Sequence, residues 1–220
     1  MAKVDGRAAR WAGQQERRRA EFVDAALAAI AEHGPDVSTE QIAERAGVAR
    51  TRLYRHFADA ADLRRAIARR AAELVTAELE PLWHPQGSPR SMITVVIETH
   101  LRWLTGHAEL HRYLMRTVPA APSALEPDVR GAIARHLSRL FTGYLAAFGL
   151  DTAPADTIAF GLVGYVESAT TRWLDHPGAL SLAQLTEQLT GTIWAMLDHT
   201  LRAGGVSLDP DRPLPLPDGL

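Results

Sequence analysis

The sequence contains no cysteine, which removes disulfide frameworks, thiolate zinc sites, iron–sulfur clusters and cysteine nucleophiles together and fits a reducing compartment. No segment approaches the roughly 18 consecutive apolar residues that a membrane span needs. The N-terminal MAKVDGRAARWAGQQERRR has no apolar stretch that could serve as a signal peptide. Lysine is almost missing, Lys3 being the only one, so positive charge is carried by arginine. There is no P-loop, no Rossmann glycine run and no G-x-S-x-G elbow. Alternating strand patterns never exceed a few residues, and no internal repeat is visible. These absences lead to the expectation of a soluble, cytoplasmic protein that is not an enzyme and needs no cofactor.

What is present is an ordinary globular composition, with 46% hydrophobic and 23% charged residues in a chain of 220, enough for one large domain or two small ones. The net charge of −2 conceals a division. Residues 1–70 carry 14 Lys and Arg against 10 Asp and Glu, whereas residues 71–220 carry 10 against 16. A basic module that meets an anionic partner is thus joined to a module with another task.

Helical periodicity runs throughout. Phe22, Val23, Ala26, Leu27 and Ile30 form one inward stripe, stopped by Gly34-Pro35. Ser38 with Gln41 three residues on has capping-box spacing and starts a very short helix, ended at Ala46-Gly47-Val48. A second short helix is expected from about Ala49 to Phe57. Asp59 can cap a fourth, longer helix carrying Leu63, Ile67 and Leu74 up to Pro81. Beyond the loop-like PLWHPQGSP, further stripes follow: Ile93–Leu104, Ile133–Phe148, a nearly all-round apolar helix from Ala155 to Asp175, and Leu182–Leu201 ending at Gly204-Gly205. The fold class is therefore all-α.

Two short helices about a glycine turn, backed by a third, have the geometry of a helix-turn-helix, whose second helix enters the DNA major groove. In that second helix Leu53 and Phe57 face inward, leaving Arg50, Thr51, Arg52, Tyr54, Arg55 and His56 on the surface. Arginine can bond guanine O6 and N7 as a pair, while tyrosine, threonine and histidine reach phosphates. Periodicity alone leaves a competing reading, a solvated arginine-rich face of a helical bundle.

The stretch STEQIAERAGVARTRLYRHF resembles the DNA-binding signature of the TetR (tetracycline-repressor-like) family of transcriptional regulators. Ile42, Ala43, Ala46, Gly47, Val48, Leu53, Tyr54, His56 and Phe57 match it in register. The resemblance implies an N-terminal three-helix helix-turn-helix domain followed by a larger helical ligand-binding and dimerisation domain. It also implies a dimer that reads a pseudo-palindromic DNA operator and is released by a small, hydrophobic effector. The expected boundaries are a flexible basic arm at 1–14, the DNA-binding domain at 15–60, the ligand and dimer domain at 61–204, and a disordered proline-rich tail at 205–220. DNA contacts are expected from Arg17, Arg18, Ser38, Thr39, Arg50, Thr51, Arg52, Tyr54, Arg55 and His56.

Two departures stand out. Family members often have small residues where this chain has Thr51 and Arg52, which makes Arg52 the candidate for a base contact particular to this protein. The family's phosphate-gripping lysine near the start of the fourth helix is replaced by Ala60, next to Asp59 and Asp62. Its contact could fall to Arg17, Arg18 and Arg19, or to Lys3, Arg7 and Arg10 in the arm, which could enter the minor groove or merely solubilise the chain. The missing lysine also favours the alternative, a helical carrier or enzyme that kept the fold but lost DNA binding.

For the second module the resemblance implies a pocket, with Trp103, His107, Tyr113, Arg116, Tyr144, Phe160, Tyr165 and Glu167 as candidate ligand contacts, although an aromatic residue taken alone is more often plain core. Dimerisation is expected through the last two helices, Ile158–Trp173 and Leu182–Leu201, as a four-helix interface. His107 and His111 lie one helical turn apart, a spacing that suits zinc. Glu109 falls on the opposite side of that helix and no third ligand is evident, so no metal site is expected.

Overall fold

A computed structural model describes residues 6–82, 86–117, 129–176, 178 and 180–214. Among them the regular elements are helical: α1 (Gly6–His33), α2 (Thr39–Arg45), α3 (Arg50–Leu53), α4 (Ala60–Leu79), α5 (Pro89–Gly106), α6 (Ala108–Thr117), α7 (Val129–Ala147), α8 (Ala155–Asp175) and α9 (Leu182–Ala203). The chain divides into two units, one of Met1–Leu74 with His107–Pro127, the other of Val75–Gly106 with Asp128–Leu220.

In the first unit α1 packs against α2 and α6, and α2 against α3. Of the stripe expected on α1, Phe22, Val23, Ala26 and Ile30 are buried and Leu27 is half-buried; Ala29 is buried beside them, as are Ile42 and Ala43 of α2, Leu53 of α3, Phe57, Leu63 and Ile67. Burying one of the larger of these side chains, a Phe, Leu, Ile or Val, contributes about 1.5–3 kcal/mol. Gly34 ends α1 with φ +82°, a conformation that costs glycine nothing. The Ser38 capping box forms: the Ser38 hydroxyl accepts the Gln41 N–H at 3.2 Å, and the Gln41 side-chain oxygen accepts the Ser38 N–H at 2.8 Å. Asp59 caps α4, taking the Asp62 N–H at 2.7 Å. The helix expected over Ala49–Phe57 is shorter. After Leu53 the chain continues in tight turns, with Arg55 N–H on the Arg52 carbonyl and His56 N–H on the Leu53 carbonyl. Those turns carry Phe57 back into the core.

In the second unit α5 packs on α9 and α7 on α8. Ile97 and Leu101 of α5, Leu162 of α8 and Leu185, Leu189 and Ile193 of α9 form its core, with Phe141, Tyr165 and Trp173 against it. The Trp173 indole N–H donates to the Leu180 carbonyl at 2.8 Å, anchoring the approach to α9.

The expected ranges differ from the structure in three places. The first unit runs past residue 60 to Leu74 and takes in residues 107–127. Residues 6–14, assigned to a flexible arm, are the first turns of α1; no proline or glycine pair interrupts the pattern there, so the helix extends. Lys3 lies outside the described residues. Residues 205–214, assigned to a disordered tail, are folded onto the second unit. Val206 and Leu208 join Leu145, Leu201, Phe148 and Trp194 in a second apolar cluster. Leu214 N–H donates to the Gly87 carbonyl at 3.0 Å, Arg90 N–H to the Pro210 carbonyl at 2.9 Å, and the Arg90 guanidinium to Asp211 at 2.9 Å. The prolines rule out helix, but two apolar side chains and an arginine clasp hold an extended segment just as well. Residues 215–220 lie outside the described part.

Candidate nucleic-acid interface

Burial of Leu53 and Phe57 leaves the other side of α3 and its turn open. Thr51, Arg52 and Arg55 are exposed, and Tyr54 and His56 are half-buried. Arg50, the first residue of α3, is paired with Glu40 of α2, and its guanidinium lies over the Tyr54 ring, 5.4 Å from the centroid. Hydrogen bonding to the Thr39 hydroxyl holds the Tyr54 phenol below its ordinary pKa, partly opposed by burial. Thr39, Glu40, Arg50 and Tyr54 thus form one connected cluster across the turn between α2 and α3. Ser38 is spent on the capping box, and Arg17 and Arg18 stand exposed on α1, Arg18 paired with Glu21 at 2.9 Å.

Arg19 proves to be a structural residue instead of a free phosphate contact. Its guanidinium donates to both oxygens of Asp62, at 2.7 and 3.1 Å, and to the His56 carbonyl at 2.6 Å, and it lies 4.3 Å over the Phe57 ring. The His56 ring in turn rests on Phe22 at 5.0 Å. This joins α1, the end of the α3 turn and the start of α4. The bond from Arg19, helped by the Ala58 N–H and against the effect of burial, holds the Asp62 carboxyl below the usual carboxylate range. The signal was in the sequence: Arg19 lies one turn before Phe22 and Val23 on the same stripe. Beside this clamp an open groove of about 320 Å³ is lined by Gln15, Glu16, Arg19, Arg55 and His56. Gln15, Glu16 and Glu40 carried no such signal, because acidic and amide residues on a helix surface look like ordinary solvated positions.

The eight candidate ligand contacts fall into both units. His107 and Arg116 are exposed and Tyr113 is buried in the first unit, with Arg116 held by Asp36 at 2.8 Å. Burial raises the Tyr113 phenol. In the second unit Trp103, Tyr144, Tyr165 and Glu167 are half-buried, whereas Phe160 is exposed. Burial raises the Tyr144 phenol, whose oxygen finds no hydrogen-bond partner among the described residues. Burial also raises the Glu167 carboxyl, against the pull of Arg130, its ion-pair partner. Among the described residues no three of His, Cys, Asp or Glu stand together as a metal site, and no helix is long and apolar enough to cross a membrane.

Residues 22–71 match the family described as bacterial regulatory proteins, tetR family. Over 98% of this chain and 92% of the relative, the sequence is 33% identical to an uncharacterized HTH-type transcriptional regulator of Mycobacterium tuberculosis. The chain belongs to the TetR family. A further relative, the HTH-type transcriptional repressor LfrR of Mycolicibacterium smegmatis, is 34% identical over 40% of this chain and 47% of its own. The fold is shared with FadR of Bacillus subtilis, solved with stearoyl-CoA, at a TM-score of 0.61 and 20% identity over 79% of this chain and 96% of that one. As a TetR-family protein the chain is a DNA-binding transcriptional regulator, and its α2–turn–α3 segment is the helix-turn-helix.

Proposed function

We propose that this protein is a homodimeric repressor that reads a pseudo-palindromic operator and is released by a small, largely apolar effector. The observation that carries the reading is the α3 face. Arg50, Thr51, Arg52, Tyr54, Arg55 and His56 gather on the side away from Leu53 and Phe57, and the Arg19–Asp62 clamp fixes that face upon the fold. Rigid support of this kind is what base reading requires, since bidentate contacts demand a set geometry. Arg17 and Arg18 on α1 supply phosphate contacts beside it.

Dimerisation is supported by two helix surfaces that lack charge. On α8 the exposed residues between Asp156 and Arg172 are Thr157, Phe160, Gly161, Gly164 and Ser168. On α9 those between Glu187 and Arg202 are Gln188, Gly191, Ala195, Met196 and His199. Phe160 and Met196 are 44% and 40% exposed. A helix face left to solvent is normally charged, whereas small and apolar residues suit close packing against a second copy, closed as a two-fold dimer. Two recognition helices then enter successive major grooves about one DNA turn apart. Repression is favoured by the similarity to LfrR, whose name says that it represses. The effector reading draws on the half-buried Tyr144, Tyr165 and Glu167, and on the fold shared with FadR, which binds stearoyl-CoA. Such a ligand releases DNA by binding better to a conformation with the wrong helix spacing. The reading places the protein with DNA in the cytoplasm and gives it no catalytic step.

The test is selection of binding sites from a random duplex pool at moderate salt, where non-specific electrostatic binding is suppressed. A pseudo-palindromic motif is the expected product. A folded, dimeric protein that enriches nothing, with and without cell extract, would support instead the carrier reading that Ala60 favours.

A further inference from the structure

We propose that Glu40 is a specificity residue that positions Arg50 as the reader of a guanine. This rests on the operator reading above. Arg50 and Glu40 lie on different helices and are both largely exposed, at 55% and 59% of their side-chain surface. An exposed ion pair contributes little to folding, so fold stability does not account for the arrangement. A carboxylate on a surface that meets a polyanion also weakens binding to every DNA sequence through repulsion from phosphates. What Glu40 supplies is order. It takes one side of the guanidinium through Nη1, while Tyr54, itself tied to Thr39, takes a second hydrogen bond with its hydroxyl and sets its ring 5.4 Å from the guanidinium. A guanidinium has five N–H donors in a planar fork, so the donors that Glu40 and Tyr54 leave over can still bond O6 and N7 of guanine together. Fixing the fork before DNA arrives removes rotamer freedom that a free arginine would lose on binding.

Arg52 and Arg55, exposed and without an ion pair among the described residues, keep that freedom. They act as positive charges for phosphates, which moves the base-reading role from Arg52 to Arg50. Glu40 itself lies at the second position of α2, where a negative charge also suits the helix terminus. That structural role would alter all DNA sequences equally, whereas a positioning role acts at one base.

The experiment compares site selection and salt-dependent binding for the full-length protein and its Arg50→Ala, Glu40→Ala and Glu40→Gln variants, each checked for helicity and melting. Arg50→Ala is expected to lose the preference for guanine at one position of each half-site. Glu40→Ala is expected to lose the same preference by on the order of tenfold, while its binding to non-specific duplex strengthens. Glu40→Gln, which keeps an oxygen for Nη1, is expected to retain part of the preference. If Glu40→Ala binds every sequence more tightly with all base preferences intact, Glu40 is only a charge and the proposal fails. If the unmodified protein selects no motif, the operator reading fails and this assignment with it.

Discussion

Arg19 illustrates how one side chain holds an interface without belonging to it. It is shielded by Phe57 and bonded to Asp62 and the His56 carbonyl, so Arg19→Ala deprives a half-buried carboxylate of its main partner and leaves it the Ala58 N–H and the more distant Arg65. The expected cost is about 1–3 kcal/mol, seen as a lower urea midpoint, with DNA affinity falling for all sequences together. Asp62→Asn tests the same clamp by pH. The Asp62 carboxyl titrates below its ordinary value in the folded protein, so its contribution is complete above the unfolded pKa of about 4 and fades as pH falls through the folded value. The melting temperatures of Asp62→Asn and the unmodified protein are therefore expected to differ at pH 7 and to converge towards pH 3. A constant gap across that range would show that Asp62 acts by shape alone. At this scale the sequence was legible where a residue type has one common use, as with Leu53 and Phe57. It was misleading at Arg19, because a run of three arginines reads as surface until its phase against Phe22 is considered.

At the scale of elements, the capping box at Ser38 and Gln41 was read from spacing and is present, because three residues suffice to specify it. Ser38→Ala is expected to destabilise the first unit by about 1 kcal/mol, measurable by denaturant unfolding, and to weaken DNA binding through fraying of the start of α2. The length of α3 was less legible. Nothing local distinguishes a continuing helix from the tight turns after Leu53, since the choice is made by the burial of Phe57 and the bond from Arg19 to the His56 carbonyl. Long helices with strong stripes, α8 and α9 above all, were the easiest to place. The extension of α1 back to Gly6 is not legible in the sequence, because residues 6–14 have no apolar face to give a period.

For the whole molecule, the division into a basic reader and an acidic partner module showed in the charge count, but the course of the chain did not. α6 belongs to the first unit although it follows α5 of the second, a return that depends on long-range packing which no local pattern encodes. The dimer reading is tested at Gly164, where an added Cβ meets nothing within 4 Å. Gly164→Arg is expected to leave helicity and melting of the protomer unchanged while sedimentation shows a monomer and operator affinity falls at least tenfold. A variant that remains dimeric would place the interface elsewhere. The clasp of residues 206–214 on the start of α5 also sets an order in time. A ribosome makes that segment after every described helix of the second unit, so α5 stays unclasped until residues 206–214 have been made. The described part of the second unit is thus finished only when residues 206–214 are made, and a premature stop just beyond α9 would yield a chain with its described helices encoded and its seam left open.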